Sequence, residues 1–179
     1  MKIFSIAASA AAVALSGCAM TDGMGASPMA APRMAMPTSA AAYMQMAHSS
    51  DMFEIESSRM ALQMSRSQPV RAFAQMMIND HSRMMDEMMR MMPAMGMQMS
   101  SMGMMPHHMA MMQRLRGATG AGFDAMYKRE QMMGHGEALM MHRTYAASGD
   151  NPQMRAMAAR AVPMVERHLA AARALPTRM

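Results

Sequence analysis

The sequence predicts an all-α domain: a four-helix bundle of two helical hairpins joined by a long methionine-rich crossover. Three observations carry that expectation. Aromatic residues make up 4% of the chain and Trp is absent, whereas Ala, Met, Gln and Arg, which suit helices better than strands, are plentiful. A short pattern repeats, with Val70-Arg71-Ala72-Phe73-Ala74 reappearing as Met154-Arg155-Ala156-Met157-Ala158, each after a proline-marked turn and before a histidine. Between the two copies lies a segment too long for a hairpin turn, as expected where two hairpins are joined by a crossover.

The elements follow in order. Residues 1–17 have Lys2 followed by an apolar run from Ile3 to Leu15 and small residues thereafter, the pattern of an export signal too short to span a bilayer as a folded helix. Leu15-Ser16-Gly17-Cys18 resembles the bacterial lipoprotein box, which makes Cys18 the expected lipidation site and the membrane an expected partner through that anchor. Ala19 after the cysteine resembles the outer-membrane sorting preference, so the expected location is the periplasmic face of the envelope. Residues 18–38, rich in Gly, Ala, Pro and Met, read as a flexible tether with a reach of roughly 25 Å. The folded domain is expected over residues 39–176, with Thr38 or Ser39 as N-cap.

Four helices are predicted at about 39–66, 69–92, 122–148 and 152–174. Pro69 and Pro152 fall where a first-turn proline is tolerated, Gly149 stops the third helix, and Pro163 is expected to kink the fourth. A short helix over residues 107–116 precedes a hinge from Gly117 to Gly122. The single Cys excludes an internal disulfide and a thiolate metal site. Lys and Arg exceed Asp and Glu by 17 to 12, but the arginines are spread over helix faces without aromatic interleaving, which argues against nucleic acid as a partner. No Ser-His-Asp arrangement, phosphate-binding glycine loop or nucleophilic thiol is visible in the sequence.

The crossover, about residues 93–121, is the chain's most unusual stretch. Residues 84–112 hold 15 of the 37 methionines. Those up to Met92 follow a helical period, with Asp86, Glu87 and Arg90 opposite, as packing on an amphipathic helix requires. Beyond Pro93, Met95, Met97, Met99, Met102, Met104, Met105 and Met109 obey no helix or strand period, and His107-His108 lies among them. Thioethers are soft ligands that carry no proton to lose, so copper(I) or silver(I) is the metal they suit. The alternative is that methionine here fills irregular gaps in place of leucine.

Helical faces select a second group. His81 shares a face with Val70, Phe73, Ala74, Met77 and Met84; His168 lines up with Met154, Met157, Ala161 and Met164; His135 shares a face with Leu139, His142 and Ala146. Glu54 falls within the apolar arc of the first helix. Glu54 and His81 are equidistant from the turn at Ser67-Gln68, and His135 and His168 from Asn151-Pro152. At about 1.5 Å rise per residue, both pairs stand roughly 20–25 Å from their turns and meet at mid-bundle. A buried carboxylate needs partners, and a metal ion or a hydrogen-bonded Glu/His cluster would each supply them. Asp80, Glu137 and His142 are candidates for supporting groups, with solvated faces expected for Asp80 and Glu137. Tyr127 and Tyr145 are expected to cap the cluster by hydrogen bonding.

Glu54-Ile55-Glu56, the run from Pro69 to His81, Ala147-Ser148-Gly149-Asp150-Asn151-Pro152 and Pro163-Met164-Val165-Glu166-Arg167-His168-Leu169 together resemble the DUF4142 family of ferritin-like bacterial envelope proteins. The resemblance covers about residues 39–175. It implies a ferritin-like four-helix fold and an envelope location, implies no established activity, and maps one Glu and three His onto Glu54, His81, His135 and His168. The methionine-loaded crossover departs from that family and is similar to the Met-rich motifs of periplasmic copper-handling proteins. Three readings follow: a lipid-anchored copper- or silver-binding protein using Met95, Met97, Met99, Met102, Met104, Met105, His107, His108 and Met109; a ferritin-like metalloprotein using the core Glu and histidines; and an envelope bundle whose methionines scavenge oxidants.

Overall fold

The computed structural model describes residues 35–96 and 102–176. The expected signal segment, Cys18, most of the tether, Met97 and Met99 lie outside the described residues. Among the described residues there are five α-helices: α1 (Ala40–Met64), α2 (Gln68–Met91), α3 (Pro106–Arg116), α4 (Gly120–Ser148) and α5 (Pro152–Ala174), with a 3₁₀ turn at Pro93–Met95. Four of them form the bundle, and α3 is the short helix of the crossover.

Local chemistry sets the boundaries. Ser39 caps α1, its hydroxyl accepting from the Ala42 amide at 3.4 Å, and Asn151 caps α5 by accepting from Met154 at 3.1 Å, which satisfies amides that the first turn leaves unpaired. Proline occupies the first turn of α2, α3 and α5, where its missing N–H costs nothing. Extended backbone at Ser65 ends α1 near the expected turn. At the end of α4, a Cβ on Gly149 would stand 2.6 Å from the Tyr145 ring, so only glycine lets the chain turn against that ring. α4 begins at Gly120, within the stretch expected to be a hinge, because Thr119 is already extended at its N-cap position. α5 continues through Pro163.

α1 pairs with α2 and α4 with α5, while α1 and α4 join the two hairpins. At one end of the bundle Asp150 holds the start of α1, its amide donating to Thr38 and its carboxylate accepting from the Ala40 amide at 2.8 Å. At the other end Gln68, Pro69, Gly120 and Pro176 line a common surface depression. α2 and α4 therefore run in the same direction, and the chain between them must travel the length of the bundle. That requirement is why a long crossover exists, and α3, packed on α1 and α4, occupies it.

The core is divided. One apolar cluster gathers Phe53, Val70, Phe73, Met77, Leu115, Phe123, Tyr127 and Leu175. The other gathers Tyr43, Met44, Met88, Met92, Met141, Tyr145, Met154 and Met157. Each fully buried side chain of this size contributes about 1.5–3 kcal/mol. Between the clusters the inward positions turn polar: His48, Asp51 and Glu54 on α1, His81 on α2, Gln131 and His135 on α4, and His168 on α5 are all buried. Among the described residues no helix is long and apolar enough to cross a membrane.

Candidate metal centre

His81, His135 and His168 converge in this polar layer. A ligand atom from each lies within 4.8 Å of those of the other two, and the ring centroids are 5.3–5.6 Å apart. All three residues are at most 2% exposed. Side chains from three helices thus meet in one layer.

Each imidazole is oriented through one nitrogen and left free at the other. His81 Nδ1 meets Asp51 Oδ1 at 2.8 Å, His135 Nδ1 donates to the Gln131 carbonyl at 2.8 Å, and His168 Nε2 meets Asp80 Oδ2 at 2.8 Å. Among the described residues His81 Nε2, His135 Nε2 and His168 Nδ1 are buried without a hydrogen-bond partner. A buried nitrogen left so costs about 1–3 kcal/mol. Metal-binding histidines have this pattern, in which a carboxylate or carbonyl on one nitrogen fixes the ring and raises the basicity of the other.

Glu54 sits beside this trio. Its Oε1 lies 3.4 Å from His135 Nδ1, the nitrogen already engaged, and both carboxylate oxygens lack hydrogen-bond partners among the described residues. Burial pushes its carboxyl up to about 7. α1 and α4 approach closely there, since a Cβ on Gly134 would stand 2.9 Å from Glu54 Oε1.

Burial likewise pushes His135 well down and His168 down to about 4, so both rings are neutral, the form in which imidazole ligates metal. For His81 burial acts against the charged ring, but the Asp51 carboxylate, with Glu54 and Asp80, outweighs it and carries the ring above its ordinary value.

The layer contains one partner that the sequence did not assign and one that it offered only as a candidate supporting group. Asp51 is buried against His81, and Asp80, expected on a solvated face, has a side chain only 17% exposed and holds His168. The spacing of His48, Asp51 and Glu54 along α1 is the signal for the first of these: three polar residues three apart share one face. Three supporting assignments change. His142 bonds the Tyr43 hydroxyl at 2.8 Å. Tyr127 pairs with Ser58 at 2.7 Å. Tyr145 donates to Asp150 at 2.9 Å. The tyrosines therefore close the apolar ends of the bundle and do not cap the histidines.

A cavity of about 80 Å³ adjoins the centre, with Asp51 in its wall beside Met84, Met88, Met157 and Met164. Glu87 and Arg160, which pair on the surface, line it as well.

The crossover is less external than its composition suggested. Met102 and Met104 are partly buried against the two apolar clusters, while Met111, Met112 and Leu115 are core. His108 is buried, 2.6 Å from the Ser49 hydroxyl and stacked on Phe53, and burial pushes its ring down to about 3. Met105 precedes α3, its amide donating to Ser49, and Met109 is 46% exposed. Met95 lies in the 3₁₀ turn. His107 and His108 group with Glu137, in a set separate from that of His81, His135 and His168.

The family described as a domain of unknown function (DUF4142) matches residues 25–175. The chain belongs to that family. No curated protein matches it. Among solved structures, this DUF4142 chain is similar to one described as "CopM in the Cu(II)-bound form", with a TM-score of 0.65 and 20% identity over 77% of this chain and 95% of that one. That likeness shows the bundle fold.

Proposed function

We propose that this DUF4142 protein binds copper in the cell envelope, holding it in the bundle core through His81, His135 and His168. The observation that carries the reading is the set of three buried imidazoles whose ligand atoms come mutually within reach, each ring fixed from behind and keeping one nitrogen without a partner among the described residues. These residues fit such an ion on their own chemistry: imidazole suits copper, and a three-nitrogen set satisfies much of its coordination. Copper supplies a positive charge that offsets the buried Asp51 and Glu54 carboxylates. Asp51, Asp80 and the Gln131 carbonyl orient the rings, and the two apolar clusters exclude water on either side.

Two further observations favour copper over zinc, which imidazoles also suit. Four thioethers line the cavity beside Asp51, a lining that favours a soft monovalent ion. The similar solved bundle is described as Cu(II)-bound. In this reading the crossover methionines, Met95 through Met109, are soft ligands that collect copper(I), and Cys18 anchors the mature chain to the membrane after export. Support for the last two roles comes from the sequence: the density of methionine without period, and the lipoprotein-type box.

The test is titration of the metal-free mature protein with copper under a competing chelator. The expected result is a tight equivalent that disappears in His81→Ala and persists when Met102, Met104, Met105 and Met109 are converted to leucine. Equal binding by the wild type and His81→Ala would refute the core site.

A further inference from the structure

We propose that His107, His108 and Glu137 form a second metal site, taking a divalent transition ion, which fastens the crossover helix α3 to α4. It is distinct from the core site in residues and in position. Glu137 lies two residues from His135 on α4, about 200° around the helix, so it points away from the His81–His135–His168 layer.

The geometry is that of a ligand set. One ligand atom from each of the three residues lies within 4.8 Å of the other two. His107 Nε2 stands 3.6 Å from Glu137 Oε2, too far for a hydrogen bond and close enough for both to reach one ion. The two rings lie with centroids 3.8 Å apart. Glu137 Oε2 is buried and has no hydrogen-bond partner among the described residues, although its side chain as a whole is 34% exposed. A buried carboxylate oxygen beside two imidazoles would be compensated by a cation held among the three side chains.

The surroundings hold the set in place. Ser49 Oγ lies 2.6 Å from His108 Nδ1 and accepts the Met105 amide at 2.7 Å. As a hydroxyl it can also accept from that ring nitrogen, which leaves Nε2 for the metal. Arg114, a cation whose charge reaches Glu137, is engaged by both oxygens of Glu130 at 2.8 Å. One carboxylate and two imidazoles suit zinc or copper(II) better than magnesium or calcium, which prefer all-oxygen sets.

The experiment is zinc(II) binding to the full mature chain, read as ions per chain by elemental analysis after gel filtration, with circular dichroism as the check on folding. His107→Gln and Glu137→Gln are tested separately, because both side chains are partly exposed and neither substitution opens the core. The expected result is the loss of one zinc ion per chain in each variant, with helicity unchanged, and the loss of a different ion in His81→Ala. If the core site does not bind, the wild type holds a single ion that His107→Gln and Glu137→Gln abolish and His81→Ala leaves in place. Unchanged zinc content in both His107→Gln and Glu137→Gln would overturn the second site, whatever His81→Ala does.

Discussion

At the scale of single residues, the decisive contacts are the ones that leave an atom free. A core histidine with both nitrogens bonded is structural, whereas His81, His135 and His168 each bond once, keep the other nitrogen without a partner among the described residues, and stand with their rings together. Asp51 is the clearest case of a supporting group, since its carboxylate both orients His81 and raises that ring's affinity for positive charge. Replacing Asp51 with Asn keeps the shape and removes the charge. Asp51→Asn should weaken copper binding by about 10- to 100-fold with a normal helical spectrum, as read by chelator competition; unaltered affinity would show that Asp51 only fills space. The four residues Glu54, His81, His135 and His168 were legible from the sequence because a helix repeats its faces and a hairpin equalises heights. Asp51 was not, and Asp80 was legible only as a candidate supporting group with a solvated face expected, because a carboxylate beside an apolar stripe reads as solvated until the opposite helix is placed. Asp80 borders the inward face of α2, and only the position of α5 reveals that His168 reaches it.

At the scale of elements, helix pairs in this bundle are joined by buried polar contacts as well as by apolar packing. His142 on α4 meets Tyr43 on α1 at 2.8 Å, and burial pushes its ring down to about 4. Its value in the folded state lies below its ordinary 6.5, so the unfolded chain takes up the proton first as pH falls. The stabilisation from this neutral ring is complete above about pH 6.5 and declines as the pH drops towards 4. At pH 5 the loss amounts to about 2 kcal/mol. Urea unfolding of the metal-free protein should show a falling midpoint from pH 7 to pH 5, and a shallower fall in His142→Gln; identical pH dependence in both would contradict the assignment. The helices themselves were legible almost to the residue, since Ser39, Pro69, Gly149, Asn151 and Pro152 mark their ends by capping chemistry. The packing of the α3 methionines was not. Met111 and Met112 carry no local signal that separates a packed methionine from a ligand, because the same flexible thioether serves both purposes.

At the scale of the whole molecule, two apolar clusters enclose a polar layer, and a crossover forced by parallel α2 and α4 runs along the bundle. Burying several carboxylates and imidazoles between clusters is costly in a fold that could have filled the layer with leucine. A cation at the centre accounts for that cost, for the orientation of the free nitrogens, and for the thioether-lined cavity beside Asp51. The most direct measurement is an anomalous-difference map at the copper edge from crystals of the copper-loaded protein. The account predicts a peak within coordination distance of His81 Nε2, His135 Nε2 and His168 Nδ1. Density confined to the crossover methionines, with those three nitrogens bonded only to protein or water, would contradict it.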